Sequence, residues 1–296
     1  MYRGDFHVHS RRSHGGELTP EQLIAAARAS GLDFIAVTEH NTIAGYDEWA
    51  PLSGDLLVIP GQEVVTETGH WLALGLRGND VDQVLRAGGL RVVAHPCAPY
   101  PSGTFEHSYE GFDLVEVWNG PWTSDLPWQA DNESALAGWA RDLVTGVERG
   151  RWRPALGNSD AHLHGQIGTP HTVVLTDELS RDAVLAAVRA GHCWIAESAG
   201  VGLSFAAAAG GRTAQIGERL ETGGEDVAVR AEVSGVPSGT VTFHTGRGVA
   251  YQAELSSEGS GTITWSLRDG RPGFVRVEVR HPGGGMAALT NPIALD

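Results

Sequence analysis

Apolar and polar residues are arranged differently in the two parts of this 296-residue chain, and the pattern changes near residue 200. Before that point, short apolar runs rich in β-branched and aromatic residues alternate with segments of helical character. The predicted strands cover residues 32–40, 55–63, 90–96, 112–120 and 153–162. Strands that alternate with helices predict a parallel sheet, either open or closed into a barrel.

The clearest helix signal begins at Thr19. Pro20 follows it, Gln22 completes a capping box, and Gly31 provides a stop. Three further segments carry helix signals, namely 79–89, 131–150 and 180–191.

After residue 200 the apolar positions recur at every second residue, and glycine-rich turns separate the runs. The predicted strands cover 225–235, 239–246, 261–267 and 273–282. This pattern is typical of a small antiparallel β-sandwich. We therefore expect an α/β domain over residues 1–200 and an all-β sandwich domain over residues 201–296.

Composition and charge exclude several classes of function. Hydrophobic residues make up 41% of the chain and charged residues 19%, as in a globular protein. A formal net charge of −15 argues against a nucleic-acid polymer as partner. All 21 basic residues are arginine, which excludes a lysine nucleophile. Two cysteines are too few for a disulfide framework, and the sequence has neither a signal-peptide pattern nor a run of membrane-spanning length. We expect a cytoplasmic protein with no membrane partner, and its oligomeric state stays open.

Histidine and carboxylate residues recur where predicted strands end. His7 and His9 are two residues apart, so on a strand both side chains point to the same face. Asp160 and His162 repeat that spacing. Ends of parallel strands converge on one rim, which brings distant residues together. The candidate ligands are His7, His9, His40, Glu63, His95, Asp160 and His162, with His14 as an eighth.

One histidine at a strand end is more often an ordinary polar residue than a metal ligand. Several separate signals of this kind before residue 165 are hard to explain by chance. Eight ligands exceed one tetrahedral site and indicate two or three divalent ions, and imidazole with carboxylate suits zinc, manganese or iron.

The order of these motifs also resembles the polymerase and histidinol phosphatase (PHP) superfamily. The resemblance covers roughly residues 3–200 and rests on HVH (7–9), His14, TEH (38–40), GQE (61–63), AHP (94–96) and SDAH (159–162). It implies a distorted (β/α)₇ barrel with a hydrolytic site of two or three metals. The added sandwich resembles the carbaryl-hydrolase-like branch of the superfamily.

The resemblance also implies how the ligands are shared. His7, His9 and Asp160 would hold one ion, and Glu63 would bridge it to a second ion bound by His95. A third ion would be held by His14, His40 and His162. Two positions depart from the pattern: His14 stands where many members have aspartate, and the strand ending EVWNG lacks a histidine found in many members. Asn119, Glu116 or water could fill that second role.

Such a centre predicts hydrolysis by a metal-bridging hydroxide held between Glu63 and Asp160. The proton for the leaving group would come from His162 or His40, if either is not committed to a metal, or from a metal-bound water. Arg11 and Arg12 are candidates for a phosphate clamp, and either could instead be solvated. His70, Asn119 and His171 are the other candidate substrate contacts, and His70 could instead orient a ligand.

Three functions remain open at this point. The first is a phosphoesterase acting on a small ester such as a nucleotide or sugar phosphate, and the second is a metal-dependent hydrolase of a carbamate, ester or amide. Arginines lining the pocket would favour the first and a neutral aromatic pocket the second. The third is a non-catalytic, metal-stabilised interaction module, which predicts a missing ligand.

Overall fold

The computed structural model describes residues 1–76, 80–121, 126–268, 270 and 273–296. The first half contains β1 (Tyr2–Val8), β2 (Phe34–Val37), β3 (Leu57–Thr66), β4 (Gly69–Leu74), β5 (Leu90–Val93), β6 (Leu114–Asn119), β7 (Ala155–Asn158), β8 (His171–Val174) and β9 (Cys193–Ala196). Its α-helices are α1 (Pro20–Ala29), α2 (Ala50–Ser53), α3 (Ala130–Glu148) and α4 (Arg181–Arg189). None of the described helices is long and apolar enough to cross a membrane.

The strands of the first half form one curled sheet in the order β9-β8-β1-β2-β3-β4-β5-β6-β7. Four of its pairings are parallel (β1–β2, β2–β3, β5–β6 and β6–β7), whereas β4 is antiparallel to both of its neighbours. The sheet curls back on itself, because β7 at its far end contacts β1: the Phe6 N–H donates to Asn158 and the His9 N–H donates to the carbonyl of Ala161. The mixed α/β class is therefore confirmed. The distorted (β/α)₇ barrel that the resemblance implies is not confirmed, because β3 and β4 form an antiparallel hairpin with no helix between them.

Helix α1 begins as the sequence predicts. The Thr19 hydroxyl accepts from the Gln22 N–H, and the Gln22 side chain accepts from the Thr19 N–H. Helix α3 begins one residue before the predicted segment 131–150 and ends inside it, and α4 lies within the predicted segment 180–191.

The helix predicted over 79–89 is wrong where it can be compared. Residue 79 lies outside the described residues, and residues 81–83 form one 3₁₀ turn. The segment has to bring the chain from β4 directly into the antiparallel strand β5. Gly88 has a left-handed backbone, and a side chain at Gly89 would collide with the Leu74 carbonyl oxygen, so tertiary packing overrides the short helical pattern.

The second half is all β. Its strands are β10 (Gly202–Ala209), β11 (Arg212–Gln215), β12 (Arg219–Leu220), β13 (Val227–Ser234), β14 (Thr240–Thr245), β15 (Gly248–Glu254), β16 (Gly261–Leu267), β17 (Gly273–Arg280), β18 (Met286–Thr290) and β19 (Ile293–Leu295). One sheet has the order β11-β10-β13-β16, and the facing sheet contains β14, β15 and β17. Phe205, Val229, Phe243 and Val277 belong to the shared core.

The facing sheet continues into the first half, because β18 pairs with β9. The two halves of the chain therefore share a sheet, and the domain boundary at residue 200 stays a prediction.

Candidate metal centre

Three adjoining groups of side chains could each hold a cation. They are His7, His9, Glu63 and Asp160; His9, His40 and His162; and Glu63, His70 and His95. Within each group the ligand atoms all lie within 4.8 Å of one another. His9 and Glu63 each belong to two groups, so the three form one continuous centre. The structure thus brings together seven of the eight predicted ligands.

The curled sheet positions these side chains at its strand ends. Strand β1 is buried at its end and directs both His7 and His9 to the same side. His95 follows β5 and Asp160 follows β7. Both residues have positive φ angles, 24° and 51°, which are rare for non-glycine residues and often mark functional sites.

The group around His9 has spacings that suit a metal ion. Nε2 of His9 lies 3.0 Å from Oδ1 of Asp160 and 3.4 Å from Oε2 of Glu63. Nε2 of His7 lies 3.3 Å and 3.4 Å from the same two atoms. Two ligand atoms about 2.1 Å from a tetrahedral zinc ion would lie about 3.4 Å apart.

Buried atoms of this group also lack ordinary partners. Among the described residues, Nε2 of His7, Nε2 of His9 and Oδ1 of Asp160 are buried without a hydrogen-bond partner. Buried polar atoms are nearly always paired, so these three need a partner of another kind. A divalent cation between them would satisfy all three atoms.

Glu63 joins the groups through its two oxygens. Oε2 lies 3.1 Å from Nε2 of His40 and faces His7 and His9. Oε1 lies 2.9 Å from Nδ1 of His70 and 3.2 Å from Nε2 of His95. His70 therefore belongs with the candidate ligands and contacts Glu63 directly.

Glu116 and Asn119, on the strand that ends EVWNG, contact the candidate ligands through hydrogen bonds. Oε1 of Glu116 lies 3.2 Å from Nδ1 of His7, and its Oε2 accepts from the His95 N–H at 2.9 Å. Asn119 donates to Oδ2 of Asp160 at 3.3 Å. Both side chains are buried. Glu116 thus orients two ligand residues, and Asn119 orients a third.

The pKa shifts show that the pocket attracts positive charge. Burial lowers the pKa of His9 to about 3, so this imidazole is neutral. Burial alone would lower the pKa of His7, but Asp160, Glu116 and Glu63 together raise it. Burial would raise the pKa of Glu63 and Asp160, but the neighbouring histidines lower it in both. The pocket therefore favours ionised carboxylates and attracts positive charge, as a cation site does.

Four predicted site residues lie apart from these groups. The His14 side chain is exposed and belongs to none of the groups found among the described residues. Arg11 is exposed, and Arg12 forms an ion pair of 2.5 Å with Glu48. His171 is buried, with Nδ1 hydrogen bonded to the Gly168 carbonyl at 2.9 Å, and burial lowers its pKa to about 4. His171 is therefore a core residue that burial keeps neutral, with its Nδ1 paired to a backbone carbonyl.

Two side chains near the centre were missed by sequence reasoning. Ser13 contacts Nδ1 of His9 at 3.0 Å, and the Tyr100 hydroxyl lies 3.5 Å from Nε2 of His95. Serine and tyrosine have no distinctive ligand spacing. Their positions in the sequence could have indicated them. Ser13 stands between two histidines, and Tyr100 follows the AHP motif by four residues.

Comparison with known proteins agrees with the motif order. Residues 5–56 match a family model described as the PHP domain, and residues 149–193 match one described as PHP-associated. These matches confirm the resemblance to the PHP superfamily. An uncharacterized protein of Methanocaldococcus jannaschii is 25% identical over an alignment of 139 residues, covering 40% of this chain and 81% of the relative.

Two solved structures are similar to part of the chain. One, provisionally described as a metal-dependent phosphoesterase of Bifidobacterium adolescentis, has 19% identity and a TM-score of 0.40, covering 55% of this chain and 88% of that one. The other is an amidohydrolase of Chromobacterium violaceum with bound sulfate and no metal. It has 18% identity and a TM-score of 0.38, covering 56% of this chain and 89% of that one.

Proposed function

For a chain that carries a PHP domain over residues 5–56, we propose hydrolysis of small phosphate esters, such as nucleotide or sugar phosphates, at a centre of two or three divalent metal ions. The PHP matches support the broader statement that the protein is a metal-dependent hydrolase. The proposed ligands are the three adjoining groups around His9 and Glu63. Zinc, manganese and iron all suit this donor set.

We propose a phosphate ester as substrate because of the net charge of the ligand set. Only Glu63 and Asp160 contribute negative charge among the ligands, because the other donors are imidazoles. Glu116 beside His7 and the buried Glu39 beside Ser13 bring the number of nearby carboxylates to four. Two divalent cations would balance these four negative charges, and a third ion would give the loaded pocket a positive surplus. An anionic substrate such as a phosphate ester is favoured in such a pocket over a neutral one.

The ions, when bound, would polarise a phosphoryl oxygen and lower the pKa of water at the site. The chain itself contributes orientation. Glu63 presents one oxygen to each side of the centre, Glu116 fixes His7, and Asn119 fixes Asp160. A fixed arrangement of this kind avoids reorganisation during the reaction.

Tyr100 is the side chain that this proposal assigns to protonation of the leaving group. Nδ1 of His162 is hydrogen bonded to the Asp160 carbonyl at 2.9 Å, which holds its proton on that nitrogen and away from the substrate. The Tyr100 hydroxyl, in contrast, lies beside His95, and its ring lies 6.0 Å from that of His70. Burial raises the pKa of Tyr100, so the phenol keeps its proton at neutral pH. The proposal thus adds Tyr100 to the candidate acids, and the acid role expected of His162 or His40 stays a prediction.

Hydrolysis of a carbamate, ester or amide is the second candidate, and the arginines favour it. Arg12 is paired with Glu48, and Arg11 is exposed. The phosphate clamp expected from these two residues is therefore not formed in this structure, and Tyr100 gives the pocket an aromatic wall.

A matched substrate panel tests the proposal. The protein is stripped with a chelator, reloaded with zinc, manganese or iron, and assayed with p-nitrophenyl phosphate, bis-p-nitrophenyl phosphate, p-nitrophenyl acetate and a naphthyl carbamate. We expect turnover of a phosphate ester that chelation abolishes and metal restores, with Glu63→Gln as the inactive control. Turnover of the carbamate or acetate without any phosphate ester would overturn the phosphoesterase assignment.

A further inference from the structure

Glu39 is a buried carboxylate close to the metal centre that belongs to none of the three ligand groups. It directly follows Thr38 and precedes His40. Its Oε1 accepts from the Ser10 hydroxyl at 2.5 Å, and its Oε2 accepts from the Ser13 hydroxyl at 2.5 Å. The Ser10 N–H also points to Oε1 at 3.2 Å. A charged group this deeply buried is costly unless it has a role in holding its neighbours.

The hydrogen bonds of Ser13 leave a single arrangement of protons. A serine hydroxyl has one hydrogen to donate and two lone pairs that accept. An ionised carboxylate only accepts, so the Ser13 hydrogen goes to Glu39. The two lone pairs then accept from the His40 N–H at 3.0 Å and from Nδ1 of His9 at 3.0 Å. For this contact to be a hydrogen bond, Nδ1 of His9 has to donate, whereas Oδ1 of Asp160, 3.0 Å from Nε2, draws the proton to the other nitrogen.

When Nδ1 carries the ring proton, the opposite nitrogen of His9 is a bare lone pair. This Nε2 is the buried atom without a hydrogen-bond partner, and it faces Asp160 and Glu63 in the first ligand group. We propose that Glu39 is a positioning residue that acts through Ser13 to fix the tautomer of His9, so that Nε2 is presented to the metal ions. The inference rests on the proposed metal centre but concerns a property of the protein without metal.

The effect of Glu39 on the His9 tautomer depends on the charge of its side chain and not on its shape. A glutamine amide can donate to Ser13, and the Ser13 hydrogen is then free to turn toward His9. That bond would require Nδ1 of His9 to accept, which moves the ring proton to Nε2 and blocks metal binding. His7 needs no such relay, because its Nδ1 faces Glu116 directly.

The test uses the full-length protein with ¹⁵N-labelled histidine, stripped of metal. Long-range ¹H–¹⁵N spectra report the tautomer of His9, whose signals are identified by their loss in His9→Gln. We expect the Nδ1–H form in the wild type and a large Nε2–H population in Glu39→Gln. Chelator competition should show metal binding about 10–100-fold weaker in that variant. Glu48→Gln, which removes a surface carboxylate paired with Arg12, should match the wild type in both readouts.

Retention of the Nδ1–H form and of wild-type metal affinity in Glu39→Gln would overturn the inference. If Glu39→Gln does not fold, as judged by circular dichroism, Ser13→Ala breaks the same relay and is read in the same way. A wild type that binds no metal would contradict the proposed function, whereas the tautomer measurement would still decide the role of Glu39.

Discussion

Nδ1 of His70 lies 2.9 Å from Oε1 of Glu63, across the hairpin of β3 and β4. The register of the hairpin explains this contact. Val65 pairs directly with His70, and Glu63 lies two residues before Val65 on the same face of the strand. A diagonal pair of this kind is within reach of long side chains. His70 is thereby placed to complete a ligand group with Glu63 and His95.

Replacement of His70 tests whether this residue binds metal or contacts the substrate. We expect His70→Ala to lose about one equivalent of metal and about 10–100-fold in turnover, because a donor is removed. Elemental analysis and steady-state kinetics measure the two effects. His107→Ala is the matched control, since His107 is exposed and its Nε2 lies 2.8 Å from the Thr68 hydroxyl, away from the ligand groups. Full metal content with a raised KM would instead make His70 a substrate contact.

Replacement of His14 tests where the resemblance and the structure differ. His14→Ala should keep its metal content and its turnover within about twofold of the wild type, because surface substitutions away from special features have small effects. His9→Ala, measured alongside it, should lose metal and activity. Loss of a metal equivalent in His14→Ala would show that this loop closes onto the centre.

Replacement of Tyr100 tests its role as the proton donor. Tyr100→Phe removes the hydroxyl and keeps the ring that packs against Gly103. We expect turnover of phenyl phosphate to fall about 100-fold, with a much smaller loss for p-nitrophenyl phosphate, whose leaving group needs no proton. Tyr109→Phe provides a control, since Tyr109 packs against Phe105 in the core. Equal losses with both substrates would exclude proton donation.

The pKa of His171 predicts acid sensitivity. Burial lowers this pKa from about 6.5 in the unfolded chain to about 4, so the folded protein binds fewer protons between these values. The neutral ring therefore stabilises the fold fully above pH 6.5, and this contribution is lost as the pH falls through 4. The loss reaches about 3 kcal/mol. Urea unfolding should show a steeper decline from pH 7.5 to 4 for the wild type than for His171→Gln, and parallel declines would contradict the assignment.

The sequence was sufficient to predict which side chains meet at the strand ends, because spacing and strand ends determine where they lie. The HVH pair is an example, since extended alternation along β1 and the residue after it puts His7 and His9 on one side. Residues whose role depends on register or side-chain geometry could not be predicted in this way. His70 joins a candidate ligand group only through the β3–β4 pairing, and the role proposed for Glu39 depends on the orientation of one hydroxyl group.

The fold likewise divides into features that local sequence predicts and features that depend on long-range pairing. Capping residues predicted the start of α1, because capping is local. The helix expected over 79–89 fails because the neighbouring strands determine the path of the chain there. The curl of the sheet and its continuation from β9 into β18 depend on long-range pairing, which local patterns do not encode.

The central claim is that His9 and Glu63 join three ligand groups into one centre of two or three metal ions. Titration of the metal-stripped protein with zinc or manganese, followed by elemental analysis and turnover of p-nitrophenyl phosphate, tests it most directly. We expect two or three equivalents per chain in the wild type, activity that rises only as the second equivalent binds, and loss of more than one equivalent in Glu63→Gln. Saturation at one equivalent or fewer, or full activity of the metal-free protein, would contradict the account.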